Sequence, residues 1–219
     1  MKTTAAAAVA LVVYLLGLAA AFGWQTWRHW KTTGSTGYRG ISGRPGSLHW
    51  WGGLLFAAAV LLGAAAPVLA LTGVASVPTG LRHPALPWTG LIAAVAGIAV
   101  TLAAQRQLGA SWRIGVDTTE RTALVTGGLF AHIRNPIFTG MLAVTTGLTL
   151  MVPTIVSTLA LACLLTAIQI QVRAVEEPYL LTTHSTAYQA YATRAGRFLP
   201  GLGRLTPSSS SASQQRRQR

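Results

Sequence analysis

Charged residues divide this chain into long apolar runs. Four segments carry no Lys, Arg, Asp or Glu: Thr3–Trp27, Pro45–Leu81, His83–Gln105 and Asn135–Val172. About 20 helical residues cross a bilayer core, so each of the first three fits one crossing. The fourth is 38 residues long. As one helix it would reach roughly 57 Å at 1.5 Å per residue, nearly twice the hydrocarbon thickness. Pro153 stands near its middle, where a proline removes an internal hydrogen bond and crowds the preceding turn. The pattern therefore predicts a tight helical hairpin, Ile137–Val152 in one direction and Thr154–Val172 in the other. A single kinked helix is the weaker alternative, on length alone. The expected fold is an all-α integral membrane protein with about five transmembrane helices, the last two a hairpin broken at Pro153.

With five crossings, the segments after the first, third and fifth share one side. They hold fifteen of the 17 Lys and Arg residues, and the other side holds only Lys2 and Arg82. The positive-inside bias then predicts an outside amino terminus and a cytoplasmic carboxyl terminus, in the cytoplasmic (inner) membrane of the cell. A cleaved signal peptide is the alternative for the first run, since Ala19–Phe22 offers small residues for cleavage. The weak basic start and the positive flank at Arg28 and Lys31 favour a retained anchor.

Composition changes the picture in two ways. Hydrophobic residues make up 51% of the 219 residues and charged residues 10%, with a mean hydropathy of +0.47; a soluble domain needs about a quarter of its residues charged. An ordinary soluble globule and a disordered chain are both excluded. The net charge of +13 invites a nucleic-acid partner, but the basic residues lie between apolar runs, where they set orientation instead. The single cysteine, Cys163, excludes a disulfide framework and a thiolate metal cluster, and no metal site is expected.

Residues 1–104 read as a three-span region with a Gly-rich cytoplasmic loop at 28–48. Its glycines recur at every third position from Gly34 to Gly46, too few repeats for a triple helix. Residues 105–205 read as a core built around the hairpin, and 206–219 as a disordered basic tail that could touch anionic lipid.

The hairpin returns the chain to the side where it began. His132, Arg134, Asn135 and Pro136 in GLFAHIRNPIFTG thus face Arg173, Glu176 and Glu177 in QVRAVEEPYLL at one membrane surface. Polar groups at the mouth of an apolar bundle are costly unless paired or used. No nucleophile triad, HExxH, CxxC or glycine-rich phosphate loop is present. A Glu can hold an ammonium or ribose hydroxyls, and an Arg a carboxylate. Neither is a nucleophile, so this constellation points to a reactive cofactor that the protein positions. Arg173 and Glu177, four residues apart, could equally be a helix-end salt bridge, and Arg134 a snorkelling anchor.

The blocks LVTGGLFAHIRNPIFTG and RAVEEPYLLTTHSTAYQAYATRAGRFLPGLGRL resemble the isoprenylcysteine carboxyl methyltransferase family of integral-membrane enzymes over about residues 105–205. The resemblance implies an S-adenosylmethionine-dependent methyltransferase with its cofactor pocket at the cytoplasmic membrane face. It also implies a prenylated or other amphipathic substrate entering from the bilayer. By position, Thr122, Ala123, Leu124 and Val125 would line the cofactor, with Phe130, His132, Arg134, Asn135, Pro136, Phe138 and Glu177 around it. Arg173 would orient the substrate carboxylate, and Arg173 and Glu177 together form the implied catalytic pair. Asn135 stands for the family's usual His, Phe130 and Phe138 for tyrosines, and His184–Ser185 for Phe-Gly.

Methyl transfer from a sulfonium is an in-line displacement, suited to an apolar pocket that aligns donor and acceptor. Tyr179, Tyr188 and Tyr191 are candidates to close such a pocket or to anchor at the interface. The competing functions are phospholipid or small-thiol methylation, and a non-enzymatic small transporter or scaffold. Small-residue pairs such as Ala93–Gly97 permit helix contacts without fixing an oligomer.

Overall fold

The computed structural model describes residues 1–34, 43–109 and 124–206. Thr122 and Ala123, part of the Gly-rich loop and the tail beyond Thr206 lie outside them. Seven α-helices order the described chain: α1 (Thr3–Leu18), α2 (Gln25–Thr33), α3 (Leu48–Leu71), α4 (Leu86–Leu108), α5 (Pro136–Met151), α6 (Ile155–Ile170) and α7 (Glu177–Ala192). A π-helical turn, Ala19–Trp24, joins α1 to α2, and a second, Gln171–Glu176, joins α6 to α7. Four helical stretches are long and apolar enough to cross a membrane, and α5 is a shorter fifth.

The hairpin at Pro153 is present. Val152 ends α5, and Thr154 opens α6 with a capping box in which its hydroxyl accepts from the Ser157 N–H and the Ser157 hydroxyl accepts from the Thr154 N–H. The Ser157 hydroxyl also donates to the Val152 carbonyl at 2.7 Å, tying the two legs across the turn. The second leg runs further than the sequence indicates: α6 continues through the π turn into α7 as one helical stretch from Ile155 to Ala192.

The legs of the hairpin pack on different partners, α5 chiefly on α4 and α6 on α3. Glycines permit the first contact. A Cβ added at Gly97 would stand 2.6 Å from the Gly140 carbonyl oxygen and 2.7 Å from the Val144 nitrogen, and Gly90 meets Gly147 in the same way one heptad along. Backbones that approach this closely exclude any side chain between them, as in small-residue packing of membrane helices.

The arginine-rich end of the bundle carries exposed tryptophans: Trp24, Trp27 and Trp30 on the first rod and Trp51 at the start of α3. Lys31 lies over the Trp27 ring at 5.2 Å. Amphipathic rings of this kind collect at a membrane–water interface. At the same end, the Gln105 amide donates to the Ala21 carbonyl inside the first π turn at 3.0 Å, fixing α1 against α4.

Candidate functional site

The site is assembled where the segment 124–135, the π turn with α7, and the chain after Ala192 meet. Gly128, at φ +59, starts a short 3₁₀ turn (Gly128–Ala131). The Leu129 N–H donates to the Gln107 side-chain oxygen at 2.8 Å, which fastens the turn to the end of α4. The following residues pair with the C-terminal loop. The Arg134 N–H donates to the Gly196 carbonyl, the Gly196 N–H to the His132 carbonyl, and the Asn135 N–H to the Arg197 carbonyl. The Asn135 side chain repeats that last contact at 3.1 Å, and the Thr139 hydroxyl donates to the Phe198 carbonyl at 2.7 Å. Pro136 then opens α5, where its missing N–H costs nothing.

Glu177 is the hub. Arg197 grips it with two parallel bonds, Nε to Oε1 at 2.8 Å and Nη2 to Oε2 at 2.9 Å. Arg134 Nη1 lies 3.0 Å from the same Oε1. The side chains of Arg134 and Glu177 are 2% and 11% exposed, so both charges are largely withdrawn from water. Buried charges persist only when paired and hydrogen-bonded, and Arg134 has further partners, donating to the Tyr188 hydroxyl at 3.2 Å and the Gly203 carbonyl at 2.6 Å. The bonded carboxylate raises the pKa of Arg197. The buried Nε of Arg134 has no hydrogen-bond partner among the described residues.

These groups border a cleft of about 150 Å³ lined by Leu108, Leu124, Val125, Phe130, Arg134, Asn135, Glu176, Glu177, Leu180, His184, Tyr188 and Tyr191. The Tyr191 hydroxyl donates to the Phe130 carbonyl at 2.7 Å, and its ring meets Tyr188 edge-on at 6.1 Å. Burial pushes the Tyr191 phenol up to about 12 and raises that of Tyr188, the latter opposed by Arg134. Both tyrosines therefore stay neutral, Tyr191 as a donor and Tyr188 as the acceptor of the Arg134 bond. Glu176 lies past the apolar run that ends at Val172. It is half-buried, and burial pushes its carboxyl up to about 7, opposed by the Gln171 amide that donates to it at 3.2 Å.

Of the residues singled out from the sequence, Leu124, Val125, Phe130, Arg134, Asn135 and Glu177 line the cleft. His132 is exposed, and Pro136 is fully buried under the α5 start. Phe138 packs instead with Ala59, Leu164 and Val172. Arg173 is exposed and does not line the cleft, so the Arg173–Glu177 helix pair is replaced by Arg134 and Arg197 on Glu177. The intervening π turn changes the register on which that pair depends. Arg197 and His184 carried no role in the sequence reading, although Arg197 sits within the quoted C-terminal motif.

Residues 86–187 match the phospholipid methyltransferase family model. The match to the phospholipid methyltransferase model runs from α4 through the hairpin into α7, and so takes in Arg134, Glu176, Glu177 and His184. It is a related family of integral-membrane methyltransferases, in agreement with the resemblance carried by the two sequence blocks. It supports a membrane methyltransferase acting on lipid-like substrates. No curated protein and no solved structure matches the chain.

Proposed function

We propose that the protein is an S-adenosylmethionine-dependent methyltransferase that acts at the cytoplasmic face of the membrane on a lipid-like acceptor with an amine headgroup. The observation that carries this reading is the unpartnered Nε–H of Arg134, buried beside two carboxylates in one cleft. A group bearing both a carboxylate and cationic centres fits that donor set. Leu108, Leu124, Val125 and Phe130 supply an apolar wall for its purine, Arg134 a donor for its carboxylate, and Glu177 the anchor that keeps Arg134 in place. When bound, the cofactor supplies an electrophilic methyl on a sulfonium. The chain itself binds, orients and excludes water, which is most of what an in-line displacement asks of a protein.

The acceptor class follows from which charges remain free. Arg134 and Arg197 are both engaged by Glu177, while Glu176 faces the cleft with only the Gln171 amide as partner among the described residues. A cleft with a spare carboxyl favours an ammonium over a carboxylate. An isoprenylcysteine carboxylate is the second reading, favoured by Arg173 standing exposed at the same end of the bundle.

Calorimetry of S-adenosylhomocysteine binding in detergent tests the cofactor assignment. Wild type is expected to bind and Glu177→Ala to lose at least tenfold in affinity; full binding by the variant removes Glu177 from the site. Radiolabelled S-adenosylmethionine with vesicles containing phosphatidylethanolamine, or with a farnesylcysteine analogue, then decides the acceptor. Label in the carboxylate substrate alone would overturn the amine reading.

A further inference from the structure

Stability and the ion-pair network account for most polar groups around the cleft, but not for His184. It lies on the α7 stripe formed by Glu177, Leu180, His184, Tyr188 and Tyr191, spaced three or four residues apart, all of which line the cleft. Its neighbours on that stripe are committed: Glu177 to two arginines, Tyr188 to Arg134, Tyr191 to the Phe130 carbonyl. The His184 imidazole is half-buried, and it makes no hydrogen bond or ion pair among the described residues.

The next residue, Ser185, has φ 40 and ψ −113 inside the helix, the one non-glycine with positive φ among the described residues. Such a conformation costs of order 1–3 kcal/mol and persists where the surrounding structure over-determines it, commonly at functional sites. A strained backbone beside an uncommitted imidazole aimed into a cleft is two independent observations at one place.

We propose that His184 is the catalytic proton acceptor of this cleft, taking a proton from the acceptor's nitrogen. The inference rests on the methyltransferase reading above and adds to it a residue and a requirement. An alkylammonium has no lone pair and cannot attack a methyl group. One N–H bond must break, its electron pair staying on nitrogen, while the proton forms a bond to a ring nitrogen of His184 and the imidazole becomes imidazolium. The imidazolium then returns that proton to water at the membrane surface. A carboxylate acceptor needs no such step, since it is already ionised at neutral pH. Imidazole suits the task because its charge changes in the range where enzymes work.

The charged and titratable groups around His184 are Glu176, Glu177, Tyr188 and Tyr191 on its own helical stretch, Arg134 from the segment before α5, and Arg197 from the C-terminal loop. Arg134, Glu177 and Arg197 neutralise one another to a net single positive charge. Glu176 is the second carboxyl in the cleft, and in this scheme it holds the ammonium while His184 removes the proton.

The experiment follows methyl transfer to phosphatidylethanolamine vesicles from pH 5.5 to 9 for wild type, His184→Gln, His184→Ala and Glu176→Gln, with S-adenosylhomocysteine binding measured on each. His184→Gln should lower kcat at neutral pH by roughly 100-fold or more, leave KM and S-adenosylhomocysteine affinity within about twofold, and abolish the acidic limb of the wild-type profile. Added imidazole should restore part of the His184→Ala rate. Glu176→Gln should raise KM and keep the limb. A wild-type kcat in His184→Gln, or a limb that survives there and vanishes in Glu176→Gln, overturns the proposal. Wild type that binds no S-adenosylhomocysteine defeats the cofactor reading itself. Wild type that binds it but labels only carboxylates keeps the cofactor reading and defeats the amine acceptor together with the proton-acceptor role.

Discussion

Removing the guanidinium of Arg197 tests the architecture of the site most directly. Its two bonds to Glu177, at 2.8 and 2.9 Å, are charge-assisted, and its side chain is 18% exposed. Hydrogen bonds to charged groups contribute about 1.5–3 kcal/mol. The remaining solvent access and the surviving Arg134 partner put Arg197→Ala near the lower end, about 2 kcal/mol. Glu177→Gln is a different perturbation, because it leaves two guanidiniums with no carboxylate between them. Breaking a buried pair from one side costs about 3–5 kcal/mol. For a chain of this size each kcal/mol moves the midpoint by about 2–4 °C. Arg197→Ala should therefore melt about 4–8 °C below wild type, and Glu177→Gln about 6–20 °C below. Melting in detergent, followed by tryptophan fluorescence at one fixed scan rate, measures both. Arg197→Lys should recover less than half of the loss, since an ammonium lacks the planar fork. The double variant Glu177→Gln/Arg197→Ala should cost clearly less than the two singles together, because the second change removes a surplus cation. An Arg197→Ala midpoint within 1 °C of wild type, or strict additivity in the double variant, would refute this account of the hub.

Gly97→Leu should lose 1–3 kcal/mol or more by overpacking, since the nearest atoms are rigid backbone at 2.6 and 2.7 Å; Gly80→Ala, which meets nothing within 4 Å, serves as the control in the same melting assay. Gly128→Ala should weaken S-adenosylhomocysteine binding, because the new Cβ combines a positive φ with an approach of 2.7 Å to Gln107 Cδ and so disturbs the turn that carries Phe130. Glu176 has a carboxyl raised from 4.5 to about 7, so the fold favours its neutral form. That contribution is present in full below about pH 4.5 and lost as pH rises through 7. Stability in detergent should accordingly decline from pH 5.5 to 8, and Glu176→Gln should flatten the decline; an unchanged slope in the variant would assign it to another group.

The membrane architecture was legible because charge and hydropathy are coarse signals that burial in lipid enforces strictly. Length and Pro153 together specified the hairpin, and the capping box at Thr154 realises it. The side of the chain on which Arg134 and Glu177 meet followed from that turn alone. Their true partners did not. Arg173 sits four residues before Glu177, the spacing of a helical ion pair, yet the π turn between them breaks the regular helical register. Arg197 lies twenty residues away in an irregular loop, and no periodicity links a loop arginine to a helix carboxylate. The glycine pairs between α4 and α5 could have been found, because Gly90 and Gly97 share the seven-residue spacing of Gly140 and Gly147.

The helical stretch from Ile155 to Ala192, kinked at Ser185, makes the lipid environment a mechanical input to the cleft. A helix whose apolar length differs from the local hydrocarbon thickness tilts to compensate. Here the same rod carries Glu177, which holds both arginines, just past a π turn at the pivot. Catalytic rate should therefore vary with acyl-chain length in reconstituted vesicles, so that bilayer thickness sets enzyme output without any ligand being exchanged.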